Sequence, residues 1–462
     1  MSDSQNNYDL IVLGGGTAGY AAALRATQLD MKVALIERDK VGGTCLHRGC
    51  VPTKALLHVA EVADATREAS VFGIDATLNN INVEDVLKFK SGITDKNHKG
   101  LQGLIKMAGI DTVIGEGKLT GKDTVTVSTD EGDVELTGKN IVLATGSTSR
   151  TLGIEIGGNV LTSTEALNLD RVPKSAIVLG GGVIGVEFAS IWNSFGSDVT
   201  IVEGLPNLVA NEDASVSKGL ERAFKKRKIK QKLGVFFKEV EQTADGVKVS
   251  LEDGTELEAE VLLVAVGRGP VTEGFGFEEQ GVKLDRGFVI TNERLHTGVG
   301  NIYAAGDIVP GLQLAHRSFA HGIFIAEEIA GKNPAPLDET GVPRITYCDP
   351  EIFSVGLTEK KAAEKYGEDK IEKVEFPLAG NAKSAILNTQ GFIKIIREKD
   401  GPIVGVHGLG ARLSEQAGEA QLIVNWEAFP EEVASLIHGH PTQNEAIGEA
   451  ALALAGKPLH FR

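Results

Sequence analysis

One segment of this chain occurs twice. Residues Leu10–Glu37, LIVLGGGTAGYAAALRATQLDMKVALIE, run as an apolar stretch, a glycine-rich turn, a small-residue stretch and a second apolar stretch ending on an acid. Residues Ala176–Glu203 run the same way, with Gly14, Gly16 and Gly19 returning as Gly180, Gly182 and Gly185. Glu37 and Glu203 stand at the same offset from the first glycine of each copy. A lone G-x-G-x-x-G says little in a chain with 56 glycines among 462 residues. The context is what counts: strand, turn, helix, strand and acid, in that order, make a βαβ dinucleotide-binding unit. The first glycine makes the tight turn, the second lets backbone approach a pyrophosphate, and the third lets helix pack on strand. The pyrophosphate meets the amides and positive end of the helix, and the acid accepts from ribose hydroxyls. The pair predicts an α/β protein with two Rossmann-like domains and two dinucleotides. In the second copy Glu203 would oppose a 2′-phosphate, which favours NAD over NADP.

The rest of the composition is that of an ordinary globular protein, 42% hydrophobic and 24% charged. At roughly 100 to 200 residues per domain the length suits about three domains. No apolar run approaches the roughly 18 residues of a membrane span, and MSDSQNNYDL does not read as a signal or transit peptide, so a cytoplasmic location is expected. With 47 basic against 63 acidic residues the formal charge is −16, which disfavours nucleic acid as a partner. The basic run FKKRKIKQK, Phe224 to Lys232, reads as a solvated helix end and strand start.

Short apolar strands that end on glycine recur as NIVLATGS (Asn140 to Ser147), VLLVAVGR (Val261 to Arg268) and NIYAAGD (Asn301 to Asp307). They read as returns to the parallel sheets. Asp307 suits either a sugar-hydroxyl acceptor or the cap of the helix in LQLAHRSFAHGIFIAEEIA, and the two roles are compatible. Glycine- and proline-rich breaks divide the chain into 1–150, 151–272, a return segment 273–340 and a C-terminal domain 341–462 that lacks any fingerprint.

Three cysteines cannot make a secreted disulfide framework, so cysteine chemistry should be local. Cys45 and Cys50 stand in GGTCLHRGCVPTK, directly after the first fingerprint. Along an ideal helix such a pair lies about 8 to 9 Å apart, beyond the ~4.4–6.8 Å a disulfide spans, so a bond there requires a distorted helix. Gly49 and Pro52 permit that distortion, and a locally closed disulfide is the labile, redox-active kind. Cys348 reads as an unrelated buried cysteine. Near the C-terminus, HGHPTQNE carries His438, His440 and Glu445, a pattern suited to a general acid/base oriented by a carboxylate. No metal site is expected.

In order, the fingerprint, GGTCLHRGCVPTK, VLGGGVIGVEF, NIYAAGD, LQLAHRS and HGHPTQNE resemble the pyridine nucleotide-disulfide oxidoreductases of the glutathione reductase class, over nearly the whole chain. The resemblance implies FAD in the first domain, NAD in the second, and a C-terminal α+β interface domain that forms a homodimer. It implies that Cys45 exchanges with substrate, that Cys50 lies against the flavin, and that His440, which precedes Pro441, is the base, paired with Glu445 of the same subunit and acting on the other subunit's cysteines. It further implies flavin contacts at Thr44, Lys54, Gly117, Thr145, Gly146, Ser147, Asp307 and the stretch Gln313, Leu314, Ala315 and His316. For NAD it implies Glu187, Val240 and Gly267 beside the second fingerprint, with Glu187 also pairing with Lys54. Val183 and LQLAHR resemble the members that oxidise dihydrolipoamide with NAD⁺ more than those that reduce glutathione. The implied partners are then free or protein-bound lipoamide and the acyltransferase core of a 2-oxoacid dehydrogenase complex, or the glycine cleavage system. Another small disulfide as substrate, or a redox-inert flavoprotein, stands as the alternative. His47, Thr17-Ala18 and His321 depart from the family pattern.

Overall fold

Leu10–Leu13 and Val33–Ile36 are runs of consecutive apolar residues with no alternation, and a strand of that kind is stable only when both faces are covered. The computed structural model describes residues 6–460 and places both runs in the interior, Leu10, Ile11, Val12, Ala34 and Leu35 having no exposed surface. Strand β1 (Asn7–Leu13) pairs in parallel with β2 (Val33–Glu37), Leu10 opposite Val33. Between them runs helix α1 (Thr17–Thr27), whose buried residues are Ala18, Gly19, Ala21, Ala22, Ala23 and Ala26.

The strand Gly132–Leu143 lies on the other side of β1 and forks. Its first half pairs antiparallel with Thr124–Thr129, and its last residues pair in parallel with Ile302–Ala304, Tyr303 opposite Val142. The returning strand leads into the helix Ala315–Ile329, which crosses α1 so closely that a Cβ on Gly322 would stand 2.3 Å from Ala18 O. This first compact unit comprises, among the described residues, those up to Ala55, Glu84–Arg150 and Arg268–Glu339.

The second unit comprises, among the described residues, Leu56–Val83, Thr151–Gly267 and those from Thr340 onward. Its parallel sheet has the order Lys230–Leu233, Asp198–Glu203, Ser175–Leu179, Val261–Val264, Val160–Leu161. A three-stranded antiparallel sheet, Phe237–Thr243, Gly246–Leu251 and Glu256–Ala259, carries Val240. A five-stranded antiparallel sheet from Arg344 to Gly410 is covered by the helices Ala417–Asn425 and Glu445–Leu454. A buried ion cluster ties this last sheet to the helix Ala214–Lys226: Lys394 Nζ lies 2.7 Å from both Asp213 Oδ1 and Glu359 Oε2. Asp213 caps that helix through the Ser215 amide at 3.0 Å.

The basic run follows the expected elements, since a helix ends at Lys226 and a strand starts at Lys230. Within it Phe224 and Ile229 are buried, and Arg227 pairs with Asp64 and Asp349 at 2.9 and 2.8 Å. Asp307 is not a helix cap, because the Ala315 helix starts after Leu314 and Asp307 lies earlier, in the single turn Gly306–Ile308. No helix among the described residues is long and apolar enough to cross a membrane.

Candidate active site

The two glycine turns are built alike. A Cβ at Gly14 would lie 2.2 Å from Ala144 O, and one at Gly180 2.3 Å from Ala265 O, so both turns sit against the tip of the neighbouring strand. Both glycines hold left-handed φ, 110° and 111°. A Cβ at Gly19 or Gly185 would reach 1.8 or 1.9 Å from the first glycine's carbonyl, which is the close helix packing the motif requires. By contrast, a Cβ on Gly16 or Gly182 meets nothing within 4 Å. That open space lies at the N-terminus of a helix, where a pyrophosphate fits. Glu37 Oε2 accepts from Gly15 N at 2.8 Å and Glu203 Oε2 from Gly181 N at 2.6 Å, fixing each acid at the rim of its turn. The residues present therefore fit two dinucleotides.

The cysteine segment docks on the first turn. Gly42 N donates to Gly15 O at 2.8 Å, and an added Cβ on Gly43 would lie 2.8 Å from Gly16 Cα. Helix α2 (Gly43–Arg48) then carries Thr44 and Cys45, and α3 (Cys50–Arg67) carries Cys50 and Lys54. Gly49 separates them at φ −148°, ψ −107°, so the helix breaks at the residue that precedes Cys50. The break lets the two side chains meet: the cysteines stand as thiols, and a hydrogen bond to Cys50 is the leading cause that pushes the Cys45 thiol far up, with burial second. Lys54 acts the other way on Cys45 and favours a thiolate.

Opposite the pair lies a polar chain. Ser147 Oγ donates to Asp307 Oδ2 at 2.5 Å and accepts from Arg268 Nε at 2.8 Å. Arg268 also donates to Ser147 O at 2.5 Å, and the strands Arg268–Pro270 and Ser147–Ser149 pair antiparallel. Burial lowers the Arg268 guanidinium, while Asp307 and Cys50 favour its charge. Tyr20 is pushed up to about 12 by burial and then by Cys45 and Cys50. Tyr20 and Arg268 were not among the residues expected at the site. Thr145 Oγ1 donates to Val271 O at 2.5 Å, and Val271 N to Gly146 O at 2.9 Å, which fastens this corner. Gly117 lies under the sheet end, where a Cβ would stand 2.5 Å from Leu13 Cδ1. Gln313 Nε2 reaches Asp307 O at 3.4 Å, and Leu314 caps the helix that begins with Ala315 and His316.

In the second unit, Glu187 is buried on the fingerprint helix, and its Oε1 accepts from Tyr347 N at 3.0 Å. Val183, the first residue of that helix, is 41% exposed at the cradle, and Gly267 ends the adjoining strand segment at φ 106°. His440 is 72% exposed at its side chain, and its Nδ1 lies 2.8 Å from Glu445 Oε1. A carboxylate only accepts, so Nδ1 carries the proton and Nε2 is the free base. Glu445 Oε2 accepts from Thr442 N at 2.7 Å. Burial opposes its ionisation, but the Thr442 amide and His440 hold its carboxyl below the usual range. His438 has its own carboxylate, Glu419, at 2.7 Å, and is enclosed beside Gly448. Its pairing with Glu419 raises its pKa against the effect of burial. Cys348 is fully buried, and burial pushes its thiol up. Among the described residues no group of three or more His, Cys, Asp or Glu side chains is placed to hold a metal ion.

Comparison with known proteins agrees with this geometry. Residues 8–322 match the family model of the pyridine nucleotide-disulphide oxidoreductases, and residues 342–451 match their dimerisation domain. The chain is 42% identical to the dihydrolipoyl dehydrogenase of Bacillus subtilis over 98% of its own length and 99% of the relative's. It is 38% identical to a mitochondrial dihydrolipoyl dehydrogenase of Arabidopsis thaliana, covering 100% of this chain and 93% of that one. Among solved structures, LpdA from Mycobacterium tuberculosis superposes with a TM-score of 0.90 at 26% identity, over 96% of this chain and 99% of that chain.

Proposed function

The chain belongs to the pyridine nucleotide-disulphide oxidoreductases, and from that membership we propose that it is an FAD-dependent enzyme that oxidises dihydrolipoamide to lipoamide with NAD⁺ as a homodimer. The observation that carries the reading is the helix broken at Gly49, which turns Cys45 and Cys50 toward each other beside the first dinucleotide cradle.

In this reading Gly14, Gly16, Gly19 and Glu37 hold FAD, with Asp307 and Ser147 offering acceptors and donors to its hydroxyls and Lys54 lying near the ring. The start of the Ala315 helix, from Gln313 to His316, directs amides at the flavin. Gly180, Gly182, Gly185, Glu203, Val240 and Gly267 hold NAD. FAD, when bound, supplies a two-electron acceptor between the dithiol and NAD⁺.

The chain's own steps concern sulfur and protons. His440 Nε2 takes a proton from one thiol of dihydrolipoamide, and the resulting thiolate attacks Sγ of Cys45 in the oxidised Cys45–Cys50 pair. The Cys45–Cys50 bond breaks, and Cys50 departs as a thiolate. His440 passes that first proton to solvent and takes the proton of the second substrate thiol, whose sulfur attacks the substrate sulfur of the mixed disulfide, closing lipoamide and releasing Cys45, which takes up this second proton. The substrate loses two electrons and two protons; the protein gains the electron pair as a Cys45 thiol and a Cys50 thiolate, and one proton goes to solvent. Glu445 keeps the imidazole oriented and supports its cationic form throughout. The homologous base in each site is supplied by the second subunit, and protein-bound lipoamide on an acyltransferase core, in the cytoplasm, is the expected setting.

Steady-state rates with NADH and lipoamide, glutathione disulfide or other small disulfides test the substrate class. Turnover at least a hundredfold better with lipoamide is expected. Equal or better turnover of another disulfide would replace lipoamide as substrate and leave the thiol chemistry in place.

A further inference from the structure

Arg317 and His321 stand one turn apart on the Ala315–Ile329 helix and are nearly sealed from solvent, at 3% and 1% exposure. Together they hold both polar backbone groups of Gly306. Arg317 Nη1 donates to Gly306 O at 3.4 Å, and Gly306 N donates to His321 Nδ1 at 3.3 Å. Gly306 sits at φ 75° and is followed by Asp307, whose carboxylate meets Ser147. For Nδ1 to accept, the imidazole must be neutral with its proton on Nε2, which faces Glu339 Oε1 at 3.8 Å. The same carboxylate oxygen lies 2.5 Å from Arg317 Nη2.

Arg317, His321 and Glu339, with Asn292 and Glu293, line a cavity of about 330 Å³ that none of the steps above uses. Its wall is largely apolar, but Arg317, His321 and Glu339 with Asn292 and Glu293 give it a polar side with room for water. A path for protons therefore reaches the far side of the turn that aims Asp307.

We propose that His321 is a positioning residue for the flavin: its bare Nδ1, with Arg317, clamps Gly306 so that Asp307 meets a cofactor hydroxyl, and a proton arriving on Nδ1 from the cavity opens the clamp and loosens the flavin. The inference rests on the first fingerprint unit being the flavin site.

The groups that face the imidazole set the direction of its response. Burial opposes a charge on it, Glu339 favours one, Arg317 on its own helix opposes it, and Asp307 across the turn favours it; the net effect holds the imidazole below its ordinary range. Glu293 faces it only across the cavity, and α1, packed beside Gly322, presents Ala18, Ala21 and Ala22. An imidazole whose folded-state pKa is depressed contributes stability above its unfolded value of about 6.5. That contribution is lost as pH falls from there through the folded value. The clamp is thus whole at pH 7.5 and fails in the acid range. A protonated Nδ1 would point a donor at the Gly306 N–H and leave that amide unpaired. A loss of this kind weakens flavin binding by about tenfold.

The test compares wild-type holoprotein with His321→Gln and His321→Leu by equilibrium dialysis at pH 7.5 and pH 5.0. Bound FAD is read by flavin absorbance and folding by circular dichroism. Glutamine can accept from Gly306 without titrating; leucine cannot accept at all. The wild type should lose about tenfold in FAD affinity between the two pH values, His321→Gln should change by less than twofold, and His321→Leu should bind weakly at both. Should His321→Leu fail to fold, the contrast between wild type and His321→Gln decides alone. Equal losses in wild type and His321→Gln, or a wild type that binds equally at both pH values, overturn the clamp while the flavin site stands. A wild-type protein that cannot be loaded with FAD at pH 7.5 overturns the flavin site and the clamp together.

Discussion

The two fingerprint copies share a cradle to within about a tenth of an ångström at their glycines, 2.2 against 2.3 Å at the first and 1.8 against 1.9 Å at the third, yet differ in what is attached. Behind the first acid the chain docks Gly42 and Gly43 on the turn and presents Cys45 and Cys50. After the second acid it continues as GLPNLV, with no nucleophile. The helix of the first copy is alanine-rich and packs on the returning Ala315 helix, whereas that of the second buries Glu187. A common turn binds a dinucleotide; the segments around it decide whether that nucleotide is joined to thiol chemistry or left as an exchangeable carrier.

The largest effect that can test this contrast lies in the appended segment. Cys45→Ser should reduce lipoamide turnover by at least 10⁴-fold, because no Cys45–Cys50 disulfide can then form for the substrate thiolate to attack, while NADH oxidation by an artificial acceptor continues. Retained lipoamide turnover would show that the cysteine pair is not the route. His440→Gln should cost 10² to 10⁴ in lipoamide turnover and leave flavin reduction by NADH within twofold, since hydride transfer needs no proton from it. A parallel fall in both rates, followed by stopped-flow absorbance, would assign His440 a structural role.

A subtler pair of variants separates the cradles themselves. Gly16→Ala and Gly182→Ala each place a methyl group in open space on extended backbone, at φ −72° and −77°, so neither should disturb folding. Gly16→Ala should yield protein depleted of FAD, while Gly182→Ala should keep its FAD and raise the KM for NADH by tenfold or more. FAD loss from Gly182→Ala would reverse the two assignments. The smallest change is expected from Glu203→Gln, which removes the charge facing a 2′-phosphate and should narrow the preference for NADH over NADPH by about tenfold. An unchanged ratio would place the discrimination elsewhere.

These variants could be chosen because much of the site is local in sequence. Each turn lies between its own strands, and Gly49 adjoins the cysteine it repositions, so the order of strand, turn, helix, strand and acid predicts the cradle, and a bond between the two cysteines requires the helix to break. His440 and Glu445 face each other within one loop and helix start for the same reason. Arg268 and Tyr20 are not legible in the sequence because their neighbours are remote along the chain: Arg268 meets Ser147 only when two short strands from distant segments pair, and Tyr20 is an ordinary helix residue until folding brings Cys45 and Cys50 near enough to act on it. Of the two roles allowed for Asp307 the cap falls away, since the helix begins after Leu314 and Asp307 lies in the turn before it, where its carboxylate accepts from Ser147. The antiparallel sheet from Arg344 to Gly410 was not foreseen strand by strand. Its central strands Phe392–Glu398 and Ile403–Gly410 are almost wholly buried, and such runs show no alternation to read.

The central claim is that electrons pass between NAD(H) and the Cys45–Cys50 pair. Anaerobic titration of the oxidised protein with NADH, followed by alkylation and mass spectrometry, tests it most directly. The account predicts that Cys45 and Cys50 become alkylated together as NADH is consumed, while Cys348 does not change. Flavin bleaching by NADH with Cys45 and Cys50 still protected from alkylation would contradict it.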